Sequence, residues 1–156
     1  DLHSTSRRQR QMCIRDRMPA LYDYRIFISH AWRYGDEYDR LVSLLNSSPW
    51  FSYYNYSAPK EKPLALSSSH ASSHEIAQAI TAKIQRAQVV LVIGGMYTLY
   101  HDWMKYEVDE ALRMGKPVIA IMPRGSSVMP ADLRVKATRV VGWNTASIIG
   151  AIRELV

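Results

Sequence analysis

The feature that most constrains the fold is an unbroken apolar run, Val89-Val90-Leu91-Val92-Ile93, which ends at Gly94-Gly95. Runs of valine, leucine and isoleucine of this length are typical of strands covered on both faces, which occur mainly in parallel sheets packed between helices. The run therefore predicts a central strand of an α/β domain. The segment after it opens at the carboxyl edge of the sheet, where such folds bind ligands.

Strand-like and helix-like segments alternate along the rest of the chain. The other strands are predicted at 24–28, 51–56, 117–122 and 139–141. Helices are predicted at 36–45 with Asp36 as N-cap, at 74–86, around Trp103 and Glu107 with an end near Met114-Gly115, and from Asn144 or Thr145 onward, with a short helical turn at 131–136. A chain of 156 residues suits one domain, and the alternation predicts a three-layer α/β fold with a five-stranded parallel sheet.

The net charge of +6 is concentrated near the N-terminus. Residues 1–17 hold five arginines and two aspartates, a net +3, and the other 139 residues supply the remainder. A basic arm can bind nucleic acid or a membrane surface, but this string resembles translated sequencing-adapter sequence. We therefore expect residues 1–17 to be a non-native or disordered tail, residues 18–156 to form the domain, and neither nucleic acid nor membrane to be a partner. The single cysteine, Cys13, fits a reducing cytoplasm.

The loops after the predicted strands argue against several classes of site. The chain lacks both Gly-x-Gly-x-x-Gly and Gly-x-x-x-x-Gly-Lys-Ser/Thr, so it has neither a dinucleotide fingerprint nor a P-loop. Gly94 stands where a phospho-receiver needs an aspartate, and the bulky loop 30–34 does not suit a flavin phosphate. The five histidines show no paired metal spacing, so we expect no metal. Ser29 and His30 are adjacent at a strand end and should point apart, which argues against a hydrolase triad.

One helix places an aromatic ring and a carboxylate one turn apart, at Trp103 and Glu107. Its apolar stripe consists of Met104, Val108, Ala111 and Leu112. Because Glu107 lies roughly 85° from the centre of that stripe, we expect it to be partly solvated, with its pKa raised by burial beside an indole. Such a carboxylate can bind sugar hydroxyls or stabilise an oxocarbenium-like centre. The alternative is an ion-pairing carboxylate next to an ordinary core tryptophan.

Four segments carry a family resemblance. In chain order they are Tyr24-Arg25-Ile26-Phe27-Ile28-Ser29-His30, Trp103-Met104-Lys105-Tyr106-Glu107, Gly115-Lys116-Pro117-Val118-Ile119 and Val141-Gly142-Trp143-Asn144. The first resembles the strand motif Phe-Ile-Ser-Tyr/His of TIR-like domains, and the second resembles their Trp-x-x-x-Glu motif. Taken together over residues 22–156, the chain is similar to the TIR-like domains of bacterial Thoeris anti-phage defence.

The resemblance implies a flavodoxin-like fold, with five parallel strands in the order 2-1-3-4-5. Catalytic members of the family cleave the nicotinamide–ribose bond of NAD, which is their substrate, and no cofactor is implied. Carried over residue by residue, the catalytic glutamate falls on Glu107, with Trp103 in the same motif. The residues lining the pocket fall on Phe27, Ser29 and His30. The hydrogen-bond partner of Glu107 is not identified by the sequence.

Two loops supply further binding candidates. Trp32 and Tyr34 are candidates to stack on a base of NAD, although exposed aromatic residues of such loops also serve in packing. Arg33 or Lys60 could neutralise the diphosphate, with solvated surface charge as the alternative. Lys60 belongs to the polar loop 57–69, which matches the loop that borders the active site in the family.

The resemblance also implies partners. Phage infection would trigger synthesis of a cyclic or conjugated ADP-ribose signal, and that signal would activate a separate Thoeris effector. Active sites of this family are often completed by a neighbouring protomer, so we expect a homo-oligomer on activation, in the cytoplasm. The rival interpretation is a TIR module without catalytic activity that signals by self-association. A third, a basic protein that binds nucleic acid, depends on residues 1–17.

Overall fold

A computed structural model of the protein describes residues 22–30, 36–57, 73–97, 101–125 and 128–156. These residues form a parallel five-stranded sheet in the order β2-β1-β3-β4-β5. The strands are β1 (Asp23–Ser29), β2 (Ser52–Asn55), β3 (Val89–Ile93), β4 (Val118–Ile121) and β5 (Arg139–Val141). The α/β class and the flavodoxin-like strand order are therefore confirmed. The basic tail, residues 1–17, lies outside the described residues.

The described part of the chain forms six helices, of which the first five lie between strands and the last follows β5. They are α1 (Asp36–Asn46), α2 (Ser73–Arg86), α3 (Gly94–Tyr97), α4 (His101–Arg113), α5 (Ala131–Lys136) and α6 (Thr145–Leu155). Asn144 caps α6 by accepting a hydrogen bond from the backbone N–H of Ser147 at 2.8 Å, whereas Asp36 is the first helical residue rather than a cap. A membrane could not be crossed by any of the helices described here, since none is both long and apolar enough.

The central strand is β3, as its composition predicts. All five of its residues are buried, because β1 and β4 pair with its two edges and helices cover its faces. The chain turns directly into the short helix α3, where a loop was predicted. Gly94 is required at this point, since a Cβ there would lie 2.7 Å from the carbonyl oxygen of Ile121. The ends of β3 and β4 are therefore packed tightly together.

Helices α2 and α4 pack together on one face of the sheet, and α1 and α6 contact each other on the opposite face. The stripe that α4 turns inward includes Met104, Val108 and Ala111, which are fully buried. Leu112, predicted to belong to that stripe, is 40% exposed, so this part of the prediction is wrong. Glu107 occupies the remaining inward position.

Candidate active site at the carboxyl edge of the sheet

The carboxylate of Glu107 lies inside the protein. The residue is only 2% exposed, so the prediction that it would be partly solvated is wrong. Helix α2 covers the flank of α4 that was expected to face solvent. Thr81 of α2 hydrogen-bonds the hydroxyl of Tyr106 at 2.7 Å and the carboxylate of Glu110 at 2.9 Å, and these bonds hold α2 against α4. Burial raises the pKa of Glu107 to about 8, because a charged carboxylate is poorly solvated there.

Ser29, the last residue of β1, is the polar group that faces Glu107. The residue is 0% exposed, and its hydroxyl acts against burial by lowering the pKa of the Glu107 carboxyl, as a hydrogen bond to the ionised form does. The contact falls short of full hydrogen-bond geometry, so Ser29 Oγ and Glu107 Oε2 both lack a partner among the described residues. Ser29 is thus the candidate that the structure offers for the hydrogen-bond partner of Glu107, which the sequence does not identify. Catalytic contacts are often loose before substrate binds.

His30 faces the other side of the sheet. Its ring stacks on that of Tyr38 from α1, with centroids 4.1 Å apart and planes at 22°. Burial lowers the pKa of His30, which keeps the ring neutral at physiological pH. Its Nδ1 donates to the carbonyl oxygen of Ile28 at 2.9 Å, which leaves Nε2 as an acceptor without a partner in the described structure. Ser29 and His30 therefore point apart, as expected of adjacent strand residues.

Tyr38 connects the end of β1 to the end of β2. Its hydroxyl lies 3.2 Å from Ser57 Oγ and accepts a hydrogen bond from Asn55 Nδ2 at 2.7 Å. The backbone N–H of Ser57 in turn donates to Asn55 Oδ1 at 3.0 Å. This network holds Ser57, which begins the polar loop assigned to the site border, close to His30. Residues 58–72 of that loop lie outside the described residues.

The other predicted site residues divide into two groups. Phe27 shares a face of β1 with Ser29 and is buried in the core. It therefore packs in the core two residues before Ser29 on the same strand. Trp103 is partly buried against the core, and its ring stands edge-on to Tyr106 at 5.9 Å. The remaining predicted residues lie outside the described structure, and their contacts stay predictions: Trp32, Arg33, Tyr34 and Lys60.

Four buried side-chain atoms lack hydrogen-bond partners in the described part of the chain. They are Ser29 Oγ, His30 Nε2, Glu37 Oε2 and Glu107 Oε2. Buried polar groups in native proteins are nearly always paired, so these unpaired groups at the carboxyl ends of β1 and β3 indicate a polar ligand. The same residues include no cluster of three or more side chains able to hold a metal ion. Glu37 is not predicted from the sequence, because nothing in its neighbourhood indicates that one of its carboxylate oxygens is buried.

The comparisons with known proteins agree with this geometry. The chain matches the family described as "Thoeris protein ThsB, TIR-like domain" over residues 27–127. The matched region begins within β1 and runs past β4, so it contains Ser29, His30, Glu37 and Glu107. A search of curated proteins found no match.

Proposed function

The chain belongs to the Thoeris ThsB TIR-like domain family, and we propose that it cleaves NAD at the nicotinamide–ribose bond to make a cyclic or conjugated ADP-ribose signal. Membership of this family supports a role in anti-phage defence. The observation that carries the enzymatic part of the proposal is the buried carboxylate of Glu107, which faces Ser29 and has an unpaired oxygen.

The charge of the substrate complements this site. The nicotinamide ring of NAD is positively charged, and the ribose acquires positive charge as the glycosidic bond breaks. The bonding electron pair passes to the nicotinamide nitrogen, which leaves neutral, while the anomeric carbon becomes an oxocarbenium-like centre. An ionised Glu107 stabilises that centre strongly, because interactions between charges are stronger in a site that excludes water. Arrival of the cationic substrate should therefore lower the pKa of Glu107.

Ser29 has a positioning role in this scheme. In the occupied site its hydroxyl would donate to the Glu107 carboxylate, and this contact favours the ionised form that the reaction needs. The anomeric carbon is then captured by a hydroxyl of ADP-ribose, by an amino acid or by water, and the attacking group loses its proton. The choice among these acceptors sets whether the product is cyclic, conjugated or hydrolysed. Trp32, Tyr34, Arg33 and Lys60 remain predicted contacts to the rest of NAD.

The proposal is tested in phage-challenged cells that also carry the Thoeris effector. We expect Glu107→Gln to abolish both the infection-induced nucleotide and the protection, because glutamine has the shape of the acid without its charge. Glu110→Gln is the matched control, since Glu110 lies on the same helix but pairs with Arg113 at 2.8 Å. This control should retain both properties.

The rival self-association function predicts a different outcome. A module that acts only by assembling would protect cells equally well with Glu107→Gln, and would lose protection when contacts between protomers are disrupted. Unchanged protection together with unchanged nucleotides in Glu107→Gln would overturn the enzymatic proposal. Homo-oligomerisation is part of both proposals and does not separate them.

A further inference from the structure

A second buried carboxylate oxygen lies at the same edge of the sheet, at Glu37 in the first turn of α1. Its Oε2 and Oε1 lie 3.2 Å and 3.5 Å from the position that a Cβ on Gly95 would occupy, and Pro123 Cβ lies 3.5 Å from the same position. The carboxylate therefore rests over the chain just after β3, beside the segment that follows β4. It has this space because Gly95 carries no side chain.

The position of Glu37 is unusual for a residue of its type. Acidic residues in the first turn of a helix normally stay in water, where they complement the helix dipole. Here Oε2 is buried and has no hydrogen-bond partner among the described residues. An ionised carboxylate only accepts hydrogen bonds, so the missing partner is a donor such as a hydroxyl. A phosphate group would be repelled.

Glu107 lies beside the end of β1 and Glu37 lies over the end of β3, on helices that pack against opposite faces of the sheet. Glu107 shares its side with Ser29, whereas Glu37 directly precedes Tyr38, whose ring stacks on His30 on the other face. In open α/β sheets, a nucleotide lies across the switch point between neighbouring strands, which here is the junction of β1 and β3. A dinucleotide with one ribose at Glu107 would place its other ribose on the side of Glu37.

We infer that Glu37 accepts hydrogen bonds from the hydroxyls of the adenosine ribose of NAD, and thereby excludes the 2′-phosphate of NADP. This assignment rests on the proposed function, since it needs a dinucleotide in the site. The carboxylate is a specificity-determining group with no part in bond breaking. It strengthens the binding of NAD through hydrogen bonds and weakens the binding of NADP through electrostatic repulsion of the 2′-phosphate.

The test measures the affinity of the full chain for NAD and NADP by titration calorimetry, with Glu107→Gln present throughout to prevent turnover. Adding Glu37→Gln should weaken NAD binding about tenfold to a hundredfold, the range expected for a lost charge-assisted hydrogen bond. NADP binding should change by less than about threefold or improve, because the repulsion is removed with the charge. Asp36→Asn removes an exposed carboxylate one residue earlier. It should alter neither the affinity for NAD nor the ratio of the affinities for NAD and NADP.

A second variant acts on Glu37 without replacing it. In Gly95→Ala the new Cβ presses on the carboxylate of Glu37 at 3.2 Å, so NAD affinity should fall and NADP should bind relatively better. This variant also serves if Glu37→Gln does not fold, which thermal unfolding would reveal. Equal loss of NAD and NADP binding, or no loss at all, would overturn the assignment and leave the proposed function intact. Absence of NAD binding with Glu37 in place would overturn both.

Discussion

The burial of Glu107 predicts that Glu107→Gln stabilises the fold progressively as the pH rises. In the folded protein the pKa of Glu107 is about 8, whereas an ordinary glutamate has a pKa of 4.5. Between these values the folded chain keeps a proton that the unfolded chain has lost, so the free energy of unfolding falls by about 1.4 kcal/mol per pH unit. Between the two pKa values the free energy of unfolding of the wild-type protein falls by on the order of 5 kcal/mol in total. The Glu107→Gln variant does not show this fall, because glutamine has no proton to release.

Urea unfolding of both proteins between about pH 5 and about pH 9 measures this difference. Glu110→Gln is the internal control, and its difference in unfolding free energy from wild type should stay constant across this pH range. Hydrogen bonds from Arg113 hold the pKa of Glu110 below its ordinary value, so its stabilisation is present at neutral pH and is lost in acid. The difference in unfolding free energy between wild type and Glu107→Gln should change with pH as described. A difference that stays constant, or one that changes in the opposite direction, would refute the prediction that burial raises the pKa of Glu107.

Three further predictions concern neighbouring features. Ser29→Ala removes the hydroxyl that lowers the pKa of the buried acid, so the alkaline rise of kcat/KM for NAD should move upward by about 1 pH unit; an unmoved profile would contradict this role. Gly94→Ala places a Cβ 2.7 Å from the carbonyl oxygen of Ile121, so urea unfolding should show a loss of about 1–3 kcal/mol, and a neutral effect would show that the junction can relax. Asn144→Ala removes the N-cap of α6 and should lower the free energy of unfolding by about 1 kcal/mol, which Asn144→Asp should largely retain.

Most of the architecture follows from local sequence patterns. The run Val89–Ile93 marks the central strand because parallel strands buried on both faces need continuous apolar side chains. The other strands and the longer helices follow from their periodicity, and Gly115, with φ of +71°, ends α4 as expected. The short helix α3 was missed because two consecutive glycines indicate a loop, whereas Gly94 is needed there for close packing.

The site itself was only partly predictable. Glu107 and Ser29 were named from motifs, but the complete burial of Glu107 depends on α2, which begins 34 residues earlier in the sequence. The periodicity of α4 predicts which of its residues face the sheet, but it carries no information about a second helix, α2, that packs on the flank of α4. Glu37 was missed for the same reason, since the space that holds its carboxylate is set by Gly95, on a different element.

The most direct test of the central claim measures cleavage of the nicotinamide–ribose bond of NAD. NAD labelled in the nicotinamide ring is added to lysates of phage-challenged cells, and free nicotinamide and ADP-ribose nucleotides are quantified by mass spectrometry. With the wild-type chain we predict that both appear in equal amounts, and that Glu107→Gln lowers their rate of formation at least about a hundredfold while Glu110→Gln does not. Equal release of nicotinamide by wild type and Glu107→Gln would contradict the account.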